Sequence, residues 1–146
     1  EGGKGYWFMV SDDFQFNYNL SEIFLSRNTK MLDILHAQSS IQSFYIINNI
    51  NTLNLDIGDW LVAFNNDALV GSRKWDGIHN DIPIMGYDNS SENTKIATSG
   101  YCENGDLPII KAHRPDGQII EMDVIEIEGD LEFKGIGHAT IVLKKD

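Results

Sequence analysis

The chain contains one cysteine, Cys102, in 146 residues, so no intrachain disulfide can form. Its neighbours Tyr101, Glu103 and Asp106 bring no positive charge to hold a thiolate, so the thiol reads as structural. A single cysteine does not fix the redox compartment. Positive charge is also scarce: 11 Lys and Arg face 22 Asp and Glu, a net charge of −11. That balance repels phosphate backbones and sets nucleic acid aside as a partner. No apolar run approaches the roughly 20 residues of a membrane-spanning helix. The four histidines, His36, His79, His113 and His138, show no zinc spacing, and each reads as a structural residue. Ala97-Thr98-Ser99-Gly100 is not a Gly-x-Ser-x-Gly elbow. Gly135-Ile136-Gly137 is too short for a phosphate loop and precedes a strand rather than a helix. No signature of catalysis emerges.

What is present suits one globular domain. The hydrophobic fraction is 42%, and the length allows a real core without disulfides or metals. The opening Glu1-Gly2-Gly3-Lys4 reads as a linker or the end of a preceding module, with one domain over 5–146. A chain starting at Glu1 rather than Met is expected to be a mature product or an excised fragment.

Asp59 to Trp75 organises the rest as a β-hairpin. Trp60, Val62 and Phe64 alternate with Leu61 and Ala63, so both faces of the first arm are apolar and expected to be covered. Asn65-Asn66-Asp67 supplies the turn, and Ala68 to Trp75 the second arm. Before it, 5–10 and 14–19 read as paired strands, 20–38 as irregular with a short strand near Met31 to His36, and 41–50 as a buried strand. After it comes a long polar stretch, broken by Ile82-Pro83-Ile84-Met85 and continuing from Gly86 to Gly105. Leu107 to His113 is the next strand, with Pro108 suggesting an edge. Arg114-Pro115-Asp116-Gly117 is a turn. Over 118–128 the apolar parity switches between Val124 and Ile125, which predicts a β-bulge. His138 to Leu143 closes the chain as a last strand. About nine or ten short strands without a long helix predict an all-β domain, an antiparallel β-sandwich (jelly-roll or immunoglobulin-like). A barrel is the alternative.

Two resources carry the candidate chemistry. Carboxylates crowd one hairpin at Glu121, Asp123, Glu126, Glu128, Asp130 and Glu132. A pair could run glycoside hydrolysis, but period two places them on a solvated face. Oxygen donors suited to structural calcium collect in the polar stretch at Asp76, Asn80, Asp81, Asp88, Asn89 and Glu92. Aromatics are the second resource. Trp7 and Trp60 read as core, whereas Trp75, Tyr87 and Tyr101 flank the polar loop. Those three could stack a sugar ring, with Arg73, Asp76 and Asp88 binding its hydroxyls. The competing role for Trp75 is a plug that fastens the loop to the domain.

Several pieces of the chain resemble a known kind of module. They are Phe44-Tyr45-Ile46, Gly58 to Asp67, Val70 to Trp75, Ile82 to Asp88, Gly100-Tyr101 and Gly105-Asp106-Leu107-Pro108. Together they are similar to a tandem extracellular β-sandwich module of large secreted multidomain proteins from environmental bacteria, over about residues 41 to 115. The resemblance implies a secreted, non-catalytic module with neighbouring domains in the same polypeptide, and carries no assigned activity. Two functions are therefore expected: a carbohydrate-binding accessory module taking polysaccharide or cell-surface glycan, or a structural or adhesive module without a small ligand.

Overall fold

The computed structural model describes residues 35–145. The expected strands over 5–10 and 14–19, and most of the irregular stretch after them, lie outside these residues. Seven strands are described: β1 (Gln42–Ile47), β2 (Trp60–Asn65), β3 (Ala68–Lys74), β4 (Asp81–Met85), β5 (Ile109–His113), β6 (Ile119–Gly129) and β7 (Ile136–Lys145). They form one sheet in the order β3-β2-β5-β6-β7-β1-β4, nearly closed into a barrel. The domain is thus all-β as expected. Two stacked sheets of nine or ten strands are not what the described residues show.

The hairpin lies where the alternation put it. β2 and β3 pair antiparallel from Trp60↔Lys74 to Asn65↔Ala68, with a register shift at Ala63/Phe64. Asn66 adopts a φ of 51°, a conformation that asparagine tolerates and most residues avoid. Leu61 and Ala63 point into the barrel and are buried. Val62, of opposite parity, is also fully buried, while Trp60 and Phe64 are half-buried, so the first arm is covered on both faces.

The predicted bulge in β6 is present. Pairing with β7 runs Val124↔Leu143 and then Glu126↔Val142, leaving Ile125 as the extra residue. Ile120 and Met122 before the bulge, and Ile127 opposite Ile141 after it, therefore share the barrel-facing side.

Three expectations are corrected. β5 lies between β2 and β6 rather than at an edge; Pro108 precedes its first residue and so removes no ladder donor. β1 and β7 are parallel, from Gln42↔Ile136 to Ile47↔Ile141, which departs from the all-antiparallel expectation. Parallel pairing joins segments distant in sequence and leaves no turn signal between them. Finally, the polar loop holds a short helix, α1 (Glu92–Ala97). Ser91 caps it: its hydroxyl accepts from the Thr94 amide at 3.2 Å, and the Thr94 hydroxyl accepts from the Ser91 amide at 3.0 Å. None of its residues is buried, so it lacks the apolar stripe that would have announced it.

The sheet closes where β3 meets β4. A Cβ on Gly71 would lie 2.0 Å from the Pro83 carbonyl oxygen, so the two backbones touch there. Pro83, without an N–H, removes one ladder donor from β4.

Candidate functional site

The six residues expected to bind a glycan divide between the two ends of β4. Arg73, Trp75 and Asp76 lie near its start, and Tyr87, Asp88 and Tyr101 near its end. The six residue steps of extended chain from Asp81 to Tyr87 span roughly 20 Å, so one monosaccharide cannot touch both groups.

At the first end the side chains are already committed. Trp75 is buried, with its indole Nε1 donating to the Leu55 carbonyl at 3.1 Å. Its backbone continues the hairpin: the Trp75 amide donates to Asp59 O at 2.7 Å, and the Gly58 amide donates to Trp75 O at 3.1 Å. Trp75 is therefore the plug, fastening the 53–58 connector to the core. Burial of such a ring stabilises the fold by about 2–3 kcal/mol. Arg73 donates Nε to the Asp81 carbonyl at 3.0 Å and pairs with the Asp81 carboxylate. Asp76 Oδ1 accepts from the Ile78 and His79 amides at 2.9 and 3.0 Å, and Oδ2 faces His79 Nδ1 at 2.6 Å. The His79 amide and ring, then the Ile78 amide, hold the Asp76 carboxyl well below the usual carboxylate range.

At the second end Tyr101 is buried, and its hydroxyl accepts from the Ala37 amide at 2.7 Å. Burial pushes the Tyr101 hydroxyl pKa up, opposed by that hydrogen bond. Asp88 is buried too. Its Oδ1 accepts from the Ser90 amide at 2.9 Å and its Oδ2 from the Ser40 hydroxyl at 2.8 Å. Ser90, through hydroxyl and amide, and then Ser40 hold this carboxyl far below the usual range.

Three of the expected calcium donors have other partners. Asp81 faces Arg73, Glu92 lies 3.7 Å from Lys95, and Asn80 donates weakly to the Ile47 carbonyl at 3.4 Å. Among the described residues no group of three or more acidic, histidine or cysteine side chains could hold a metal ion.

Tyr87 and Asn89 are different. They line an open groove of about 480 Å³ with Glu103, Asn104, Phe133 and Lys134. Tyr87 is half-buried, against the core on one side. Its position is set by a bridge between Gly86 and Cys102, with the Tyr87 amide donating to Cys102 O at 2.9 Å. Gly86 is required: a Cβ there would sit 2.6 Å from the Phe133 ring, which floors the groove. The 103–106 turn is tied to the same floor, since Gly105 donates to Phe133 O at 2.9 Å and Phe133 donates to Asp106 O at 2.8 Å. Cys102 borders the groove but is buried, and burial, followed by Asp106, pushes its thiol up to about 12. The result is one partly exposed ring, Tyr87, rimmed by two amides, a carboxylate and an ammonium above the buried Phe133. Such a rim can bind hydroxyl groups, and the Tyr87 ring can bind a C–H face.

Glu103, Asn104, Phe133 and Lys134 were not singled out by the sequence. The first pair lies in a Gly-containing turn, and some thirty residues separate it from the second. Only the sheet order brings them together.

The histidines divide as well. His79 and His138 are exposed. His113 is buried beside the Phe64 ring, 6.2 Å between centroids, and neither ring nitrogen has a hydrogen-bond partner among the described residues. Burial, then the Lys111 charge, lowers its pKa. No helix among the described residues is long and apolar enough to cross a membrane. No family model, curated protein or solved structure matches the chain.

Proposed function

We propose that this chain is a non-catalytic carbohydrate-binding module of a secreted multidomain protein, taking glycan in the groove beside Tyr87. The observation that supports it is the company Tyr87 keeps. A partly exposed ring stands in one groove with Asn89, Asn104, Glu103 and Lys134. Trp75 and Tyr101 act as supports rather than platforms, because both are buried. Stacking then falls to Tyr87 alone, with the amides and charged groups binding ring hydroxyls.

Affinity electrophoresis and a glycan array with the wild-type chain test this. Binding to at least one polysaccharide is expected, with Tyr87→Ala and Asn104→Ala each weakening it by about tenfold or more. An EDTA arm separates a calcium-bridged contact, lost on chelation, from a direct one. Wild-type mobility unchanged by every polysaccharide sinks the proposal.

The same burial of Trp75 and Tyr101 favours a second function, a structural or adhesive module without a small ligand. It predicts no glycan retention at all, together with association with neighbouring domains.

A further inference from the structure

Among the described residues, β6 is paired on one side for most of its length and on the other only at its beginning. β5 engages Ile119, Ile120 and Glu121 and stops. β7 continues from Met122 to Gly129. Among the described residues, no strand occupies the β5 side of β6 beyond Glu121. Ile125 to Gly129 are exposed without exception, including Ile125 at 59% and Ile127 at 41%. An unpaired backbone edge flanked by exposed isoleucines is a template for a further strand.

The side chains define what that strand must carry. Ile127 lies opposite the fully buried Ile141, so it continues the barrel-facing side. Glu126 and Glu128 fall on the other face, opposite Val142 and Thr140. Asp130 and Glu132 follow. Lys134 stands 4.0 Å from Asp130 and 3.7 Å from Glu132, whereas Glu126 and Glu128 have no ion pair among the described residues. A second copy would bring the same acids to the same edge, and like charges on adjacent strands oppose pairing.

We propose that the β6 edge from Met122 to Gly129 binds an extended segment of another polypeptide by β-strand addition. That segment alternates Lys or Arg with β-branched apolar residues. Its cations lie against Glu126 and Glu128, and its apolar side chains cover Ile127. This interaction surface is separate from the Tyr87 groove and does not depend on glycan binding.

The probe is a synthetic peptide of about ten residues alternating lysine with valine or threonine. A second peptide of the same sequence is N-methylated at alternate positions so that it cannot pair along its backbone. A third carries glutamate in place of lysine. Binding to the 146-residue chain is followed by amide chemical shifts and hydrogen exchange. In the free chain the edge amides of 125–129 should exchange fast. The lysine peptide should slow them and shift resonances confined to 122–129, and the two control peptides should do neither. Glu126→Lys with Glu128→Lys should weaken binding by about tenfold or more, and the paired Gln variant by less. Four results overturn the proposal: no shift with the lysine peptide, equal binding by the N-methylated peptide, equal binding by the Lys variant, or edge amides already protected in the free chain. The last would mean that the chain itself or a second copy covers the edge.

Discussion

Arg73 on β3 reaches Asp81 on β4, donating Nε to its backbone carbonyl at 3.0 Å and pairing with its carboxylate. β3 and β4 are the two ends of the sheet order, so one side chain spans the gap that keeps the barrel from closing by hydrogen bonds alone. The pair is about a third and a quarter exposed, which screens its charge attraction. The bond to the backbone carbonyl is the less replaceable part. Arg73→Met should lower stability by about 1–2 kcal/mol, measured as a shift of the urea midpoint without a change of slope. Arg73→Lys should recover little, since an ammonium cannot serve both acceptors in that geometry. An unmoved midpoint for Arg73→Met would remove the latch from the account of closure.

Gly71 makes the same seam from backbone alone. Its missing Cβ is the space that the Pro83 carbonyl occupies, and neither partner is a flexible side-chain end. Gly71→Ala should therefore force the strands apart and cost about 3 kcal/mol or more. Gly117 is the control: it has a φ of 92° but open space around its Cβ position, so Gly117→Ala should cost about 1 kcal/mol from backbone strain. Thermal melts of the two variants compare them directly, and equal losses would contradict the contact at Gly71.

These two residues show where the sequence was legible. Alternation placed the hairpin around Asn66, and a parity switch placed the bulge at Ile125, because period two is a local property of the chain. Nothing local marks that Gly71 must meet Pro83, or that β1 runs parallel beside β7. The candidate site suffered for the same reason. Trp75, Tyr87 and Tyr101 all flank the polar loop in sequence, and the sequence offers the role of a plug for Trp75 alone, yet Tyr101 is buried and hydrogen-bonded as Trp75 is. Asp88 looked like a ligand, and it is buried, fastening Ser90 of its own loop and Ser40 ahead of β1.

That fastening makes stability depend on pH. Hydrogen bonds from Ser90 and Ser40 hold the Asp88 carboxyl well below its ordinary value of about 3.9. The folded state therefore prefers the ionised form. Its stabilisation is complete above the unfolded pKa and is lost as pH falls below about 4 towards the folded value. Asp76 acts with the same sign through His79 and Ile78. Melts at pH 7 and pH 3 should show a loss for the wild type, and Asp88→Asn should be less stable at pH 7 with a smaller loss on acidification. Equal acid losses in the two chains would show that Asp88 is not a source of the acid sensitivity.

Asn49 solves a different problem, the end of a parallel ladder. β1 stops at Ile47 while β7 runs on to Lys145, so on its β1 side Leu143 would face no backbone partner from a strand among the described residues. The Asn49 side chain supplies one: Nδ2 donates to Leu143 O at 2.6 Å, and Oδ1 accepts from the Leu143 amide at 2.9 Å. A side-chain amide has the donor and acceptor of a peptide group, and no other residue type of that length has both. Asn49→Asp keeps the acceptor, removes the donor and sets a carboxylate against a carbonyl oxygen. It should cost about 2 kcal/mol, more than the lost bond alone, because both oxygens then repel. Asn49→Ala leaves both Leu143 groups open to water at a half-buried position and should cost about 1–2 kcal/mol. Hydrogen exchange distinguishes this from a general loosening. The Leu143 amide should lose protection in Asn49→Ala while the Ile141 amide, within the β1 and β7 pairing, keeps it. If both amides lose protection equally, Asn49 holds the two strands together as a whole rather than extending their ladder by one side chain.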